Sequence, residues 1–404
     1  MTGGGGPRSS ATRPRFIIVV WGVVPGGTLS VLREWVPRLQ RDGSVSVVSL
    51  GPNRASLGVP TVAIGRRGSH PFRFPQVIGY VARMAAASRR AARGAGPAIL
   101  IPQDSLATGA AALLAARLSG SRLAVMEHGA AEAIGTERFW RERYPAVGFA
   151  GGVRQRLLRR LLGGMGRRVV RQTDVALIAG DEAEATYRAL GIDPGRIIRY
   201  RFAVDLDRFH PPGASERAEA RRRWDLDPDA AVIATVGRLT VEKGVDDILA
   251  VAADHPHAAL LVAGDGPLRA ALERGAPPNA RFLGRLEPDE VASLHRAADL
   301  FVYAGRQGAN TPYAVLEAMA SGLAVIATTA PEAHRAMLAD GRGIAVEPDD
   351  RAAISEAIRR LLADGALRSR MGLAARGYVE AHHAPEILDE IVEGFVARVT
   401  RVTR

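Results

Sequence analysis

Cysteine is absent from the 404 residues, which excludes disulfides, thiol nucleophiles and thiolate metal sites. Lysine is nearly absent as well: of 54 basic residues only Lys243 is a lysine, so 53 are arginines. Aromatic residues make up 5%, few for the stacking platforms that single-stranded nucleic acid requires. The longest apolar runs, such as 96–102 and 323–330, are strand-sized and far below the ~20 residues of a membrane-spanning helix. The opening MTGGGGPRSSATRPR lacks the apolar stretch and small-residue cleavage site of a signal peptide, so residues 1–14 read as a flexible arm. The expectation is a cytoplasmic protein, with peripheral contact at the inner membrane face as its variant.

What is present begins with charge. The net charge is +12, which by itself suggests nucleic acid. With Ala and Gly abundant, however, a compositional bias supplies arginine wherever a cation is merely tolerated. No nucleic-acid partner is expected, and anionic small molecules and lipid surfaces remain. Lys243 carries more information. A compact, three-donor ammonium in so arginine-rich a chain marks a place where the planar guanidinium would not fit, unless one codon survived by chance.

Apolar runs alternate with helical patterns from Arg15 onward. Strands are expected at 15–22, 45–50, 61–65, 98–103, 123–129 and 174–180, with an amphipathic helix over 28–40 after the turn VVPGG. A second series follows at 231–237, 258–264, 281–284, 300–305, 323–329 and 343–346. Continuous apolar strands separated by helices imply parallel sheets covered on both faces. The fold class is therefore α/β, with two Rossmann-like doubly wound domains in tandem. The Pro-, Gly- and charge-rich 210–230 is the candidate linker. In such folds ligands sit beyond the carboxyl ends of the strands.

Two motifs occupy those positions. In VGRLTVEKGVDDIL (236–249), Arg238 and Lys243 flank a short loop between a strand and a helix, placed to neutralise an anion. In GANTPYAVLEAMASGLAVIAT (308–328), Asn310 or Thr311 caps a helix, Pro312 takes its first position and Gly322 its stop. Glu317 leans back toward the helix start, where it suits the hydroxyls of a ribose better than a phosphate. Standing alone, it would read as an ordinary helix-surface glutamate. The pairs Asp205/Asp207, Asp246/Asp247 and Asp349/Asp350 imitate a metal-binding DxD element, but capping explains them. No histidine pair has ligand spacing, no G-x-G-x-x-G follows the first strand, and neither metal nor cofactor is expected. Leucines and arginines alternate over 153–171 as in a basic amphipathic helix. Such a face either rests weakly on anionic lipid or simply faces solvent.

Together the two motifs resemble the retaining family-4 glycosyltransferases of the GT-B fold. AGDGPLRAALE (263–273), RFLGRLEPDEVASLHRAADLFV (281–302), DGRGIAVEPDD (340–350), VDLDRFHP (204–211) and MEHG (126–129) extend the likeness. The resemblance implies an acceptor-side domain at 15–205, a nucleotide-sugar domain at 206–384 and a helix at 385–404 returning to the first domain, with the site in a central cleft. It implies an enzyme that transfers a sugar from a nucleotide diphosphate sugar with retention of configuration. Arg238 and Lys243 match the pair on the donor diphosphate, Glu317 the ribose-holding glutamate, and Gly26 and Gly27 the Gly-rich first loop. His128 matches the histidine near the reacting sugar, and Phe282, Leu283, Asn310, Thr311 and Pro312 complete the donor side. The first glutamate of the E-x(7)-E motif is replaced by Ala309. That departure turns the expectation toward an altered sugar and a small-molecule acceptor, with a lipid or polysaccharide acceptor, or a non-catalytic binder, as alternatives. Base, sugar, acceptor and oligomeric state stay open.

Overall fold

All the strand pairings described are parallel, as continuous apolar strands require. The structure is a computed structural model and describes residues 13–21, 27–51, 56–64, 74–127, 153–306, 312–330 and 333–401. The chain divides into two units, Met1–Tyr200 with Asp389–Arg404, and Arg201–Leu388.

In the first unit β1 (Arg15–Val20), β2 (Ser44–Ser49), β3 (Thr61–Ala63), β4 (Ala98–Pro102), β5 (Arg122–Glu127), β6 (Val175–Ile178) and β7 (Ile197–Arg199) form one sheet. Its order is β3-β2-β1-β4-β5-β6-β7. Phe16, Ile17, Ile18 and Val19 of β1 are almost fully buried, consistent with a strand covered on both faces. The last helix, Pro385–Arg401, contributes Phe395 to this unit's core. Its ring lies 5.9 Å from Trp35 at 68° and 6.5 Å from Phe16. Arg38 donates to Asp389 at 2.8 Å and fastens the same stretch.

The second unit contains β8 (Ala231–Val236), β9 (Ala258–Ala263), β10 (Ala280–Gly284), β11 (Leu300–Tyr303), β12 (Ala324–Thr328) and β13 (Ile344–Val346). Their order is β10-β9-β8-β11-β12-β13. Side chains alternate between two cores, as the period of a strand dictates. Val232, Ala234, Phe301 and Tyr303 enter one core, and Ile233, Leu300 and Val302 enter the other. From β8 the order runs outward through β9 to one edge and through β11 to the other. The gap beyond the carboxyl ends of β8 and β11 is thus the switch point of this sheet.

Two local expectations change. The 210–230 stretch carries the helix Ala214–Arg223 rather than a plain linker. Arg217 and Arg221 bond Asp299 at 2.6 and 3.0 Å, and Asp299 in turn accepts from the Val232 amide at 2.8 Å. Pro312 stands at the cap position of the helix Tyr313–Ala320, with ψ at 142°, rather than inside its first turn.

Candidate functional site at the switch point of the second sheet

The turn after β8 is built by backbone contact. Gly237 donates to the Ala263 carbonyl at 3.0 Å and Leu239 to that of Asp265 at 3.1 Å, so the loops after β8 and β9 are locked together. Glycine is required there: at Gly264, φ is +142° and a Cβ would lie 1.8 Å from the Gly237 oxygen. A single 3₁₀ turn, Val241–Lys243, then presents the lysine. It ends at Gly244 in the left-handed region, φ +61°, where a Cβ would lie 1.9 Å from the Ala304 oxygen just past β11. This close approach couples the two strand ends across the switch point.

Lys243 Nζ donates to the Tyr303 hydroxyl at 3.3 Å and lies 5.5 Å from the centre of that ring. A small cavity beside the pair is lined by Thr235, Leu239, Val262 and Tyr303. Burial, and next the charge of Glu242, hold the Tyr303 phenol well above its usual range, so it is neutral and accepts from the ammonium. His334 packs edge-on against Tyr303 at 5.6 Å, and its Nδ1 bonds the Thr328 carbonyl at 2.7 Å. Burial pushes its pKa to about 4, leaving the imidazole neutral beside Lys243. Arg238 is exposed, and among the described residues its side chain has no ion pair or hydrogen bond.

The helix after β11 brings Glu317. Its carboxylate has no hydrogen-bond partner among the described residues. Burial pushes its pKa up to about 7, against the opposing charge of Arg208. An unpartnered, half-buried carboxyl in the first two turns of a helix at a switch point is suited to accept hydroxyl donors from a ligand. Phe282 and Leu283 lie in β10 at the sheet edge and pack into opposite cores, so they cannot both face one ligand. Gly27 opens the helix Gly27–Asp42 in the first unit. Gly26, His128, Ala309, Asn310 and Thr311 lie outside the described residues.

Sequence reasoning missed Tyr303, His334 and Arg306. Tyr303 looked like one more apolar strand position, and an arginine carries no contrast among 53 of them. Among the described residues no group of three or more acidic or histidine side chains is placed to hold a metal ion. No helix among them is long and apolar enough to cross a membrane.

The family model described as Glycosyltransferase Family 4 matches residues 25–233, and that of Glycosyl transferases group 1 matches 216–378. Over 202 residues the chain is 34% identical to a GDP-mannose-dependent monoacylated alpha-(1-6)-phosphatidylinositol monomannoside mannosyltransferase of Corynebacterium glutamicum, covering 46% of this chain and 52% of that protein. Over 207 residues it is 33% identical to a GDP-mannose-dependent alpha-mannosyltransferase of Mycolicibacterium smegmatis, covering 51% and 53%. The chain thus spans about half the length of the curated relatives it matches. In fold it is similar to a sucrose-phosphate synthase from Thermosynechococcus elongatus, with TM-score 0.75 and 17% identity over 96% of this chain and 99% of the other. It is likewise similar to WaaG, a glycosyltransferase involved in lipopolysaccharide biosynthesis, with TM-score 0.71 and 18% identity over 94% and 100%. The two parallel α/β sheets are those of the GT-B architecture.

Proposed function

The chain belongs to glycosyltransferase family 4, and on that premise we propose that it transfers a glycosyl group, with retention of configuration, from a nucleoside-diphosphate sugar to an acceptor hydroxyl. The observation that carries this reading is the pairing of elements at one switch point. Lys243 follows β8 and touches β11 through Tyr303, and the unpartnered Glu317 follows β11 on the next helix. A cation for the diphosphate and an acceptor for the ribose are the two contacts such a donor needs.

The roles follow from the chemistry. When the bond from the anomeric carbon to the phosphate oxygen breaks, negative charge grows on the diphosphate, and Arg238 and Lys243 stabilise it. The acceptor oxygen bonds to that carbon on the same face, and its proton passes to the departing phosphate oxygen. Glu317 holds the ribose, and the family resemblance assigns His128 to the reacting sugar and Gly26 and Gly27 to the donor and acceptor. Of Phe282 and Leu283, which point to opposite faces of β10, only one can border the base, and the family resemblance assigns Asn310, Thr311 and Pro312 to the sugar side. With Ala309 in place of a glutamate, the sugar hydroxyl that a carboxylate would grip is held by another group or is absent.

The expectation of a small-molecule acceptor rests on Ala309 and on an amino half that matches the family in pattern more than in letters. A lipid acceptor at a membrane surface has more support. Arg160, Arg167, Arg168 and Arg171 are exposed on the helix Val153–Gln172, and one relative is named for a phosphatidylinositol mannoside. Incubation with GDP-mannose, UDP-glucose and other nucleotide sugars, with and without anionic vesicles carrying phosphatidylinositol, tests both readings. Release of nucleoside diphosphate with an axial-to-axial or equatorial-to-equatorial product by NMR supports retention. Binding of the donors without turnover in any mixture would identify a binder instead.

A further inference from the structure

Arg306 follows β11 directly and faces the turn that presents Lys243. Its backbone amide donates to the Glu242 carbonyl at 2.9 Å, and its Nη1 donates to the Val241 carbonyl at 2.9 Å. Two successive carbonyls of the 3₁₀ turn are thereby held by one residue. The remaining donors are spent on acids: Nη1 and Nη2 each reach Asp246 at 2.8 Å, Nη2 also reaches Asp247, and Nε reaches Asp349 at 2.6 Å. A guanidinium has five N–H donors in a fixed fork. Here the five contacts of the side chain use that fork fully. Arg306 side-chain exposure is 18%, and Asp247 is nearly inaccessible at 3%. Arg351 adds a second cation, with Nε 2.6 Å from Asp247.

This arrangement answers a problem of charge. Asp246 and Asp247 occupy the first turn of the helix Val245–Ala252, where acids suit the helix dipole, and Asp349 joins them from the loop before Arg351. Three carboxylates would stand just behind a turn whose lysine must attract an anion. Uncompensated, they would repel a diphosphate and draw Lys243 toward themselves.

We propose that Arg306 is the positioning residue of the diphosphate site: it fixes the Val241–Lys243 turn through two backbone carbonyls and cancels the acids behind it, so that Lys243 is directed at the donor. The proposal rests on the nucleoside-diphosphate reading above. Lysine at this position would keep the backbone bond to Glu242 and one charge, but could not reach the Val241 carbonyl and three carboxylates together. Arginine here is therefore specified by geometry, as lysine is at 243.

The test is a double-mutant cycle on binding of GDP and UDP, measured by calorimetric titration with Arg306→Met, Arg306→Lys, Lys243→Ala and the two Arg306/Lys243→Ala combinations. Arg306→Met should weaken the diphosphate that wild type binds by 10-fold or more, and Arg306→Lys should recover only part of that. Because Arg306 acts largely through Lys243 and also cancels acids that would repel the diphosphate directly, each combination should be weaker than Lys243→Ala alone by clearly less than the loss the matching Arg306 variant causes in wild type. A structural role without positioning gives independent, multiplied losses, and wild-type affinity in a folded Arg306→Met or Arg306→Lys protein gives none. Either result overturns the proposal. If Arg306→Met does not fold, by circular dichroism, the Arg306→Lys arm decides by the same criterion. Failure of wild type to bind any nucleoside diphosphate defeats the functional reading itself, a result distinct from every outcome above.

Discussion

Lys243 lies 3.3 Å from the hydroxyl of Tyr303 and 5.5 Å from the centre of its ring, so the only lysine of the chain is held by a residue of a different strand. The contact crosses the switch point between β8 and β11. It keeps the ammonium where a long, flexible side chain would otherwise sample many rotamers. Lys243→Ala should weaken nucleoside-diphosphate binding by about 1.5–3 kcal/mol, the worth of a charge-assisted contact. Lys243→Arg should bind better than the alanine variant yet turn over poorly, since the planar fork does not match the small cavity beside Tyr303. Tyr303→Phe keeps the ring and removes the acceptor, and should cost less than Lys243→Ala. Titration calorimetry on the three variants checks the order; equal affinity in all of them would refute it.

Glu317 ties affinity to pH. Burial raises its pKa to about 7, and only the ionised form is an acceptor on both oxygens. Affinity for the nucleoside diphosphate should therefore fall as pH drops from 8 to 6, and Glu317→Gln should bind more weakly at pH 8 with a flatter profile. Stability runs the other way. Between the ordinary glutamate value of 4.5 and the folded value of about 7, the folded chain keeps a proton that the unfolded chain has released. The stabilising effect of the protonated carboxyl is present below that window and is lost as pH rises through 7. Glu317→Gln should accordingly raise Tm relative to wild type at pH 8 and change it little at pH 4.5. A Tm difference that is the same at both pH values would contradict this assignment.

Much of the fold was legible because its strands are covered on both faces. Runs such as AVIATV and AALLVA read as strands without any need for alternation. The elements that escaped are those not held by apolar burial. β7 is three residues long and only partly buried, and no apolar run announces it. The helix Ala214–Arg223 buries only Ala220 and Arg221 and is fastened by ion pairs to Asp299, so its sequence has no apolar stripe. In the site, Lys243 stood out by composition and Glu317 by its motif. Tyr303, His334 and Arg306 were hidden because a contact between strand ends distant in sequence has no local signature.

The aromatic cluster around Phe395 predicts how the first unit is stabilised. Phe395 is fully buried against Trp35 and Phe16, so truncation leaves a cavity that rigid neighbours cannot fill. Phe395→Ala should destabilise the protein by about 3–5 kcal/mol, whereas Phe395→Leu should cost markedly less. Thermal unfolding should show the loss in the transition that contains Trp35, followed by its fluorescence against a background in which Trp21, Trp140 and Trp224 have been replaced by phenylalanine. An unchanged transition would mean that the last helix contributes nothing to that core.

Gly244 provides the sharpest separation of backbone from side-chain effects. At φ +61° an alanine pays the left-handed penalty of roughly 1–2 kcal/mol. The larger effect is steric, because its Cβ would meet the Ala304 oxygen at 1.9 Å, a distance that only movement of the backbone can relieve. One side of that contact is the turn carrying Lys243, and the other is the chain leaving Tyr303. Separating them should break the Lys243–Tyr303 hydrogen bond without altering either residue. Gly244→Ala should therefore reduce diphosphate affinity about as much as Lys243→Ala does, and combining the two should add little. Gly377→Ala, in the helix Gly365–His383, is the control: no atom lies within 4 Å of its added Cβ, and its φ is not in the left-handed region. A folded Gly244→Ala protein with the affinity of Gly377→Ala would show that the backbone contact does not direct the lysine.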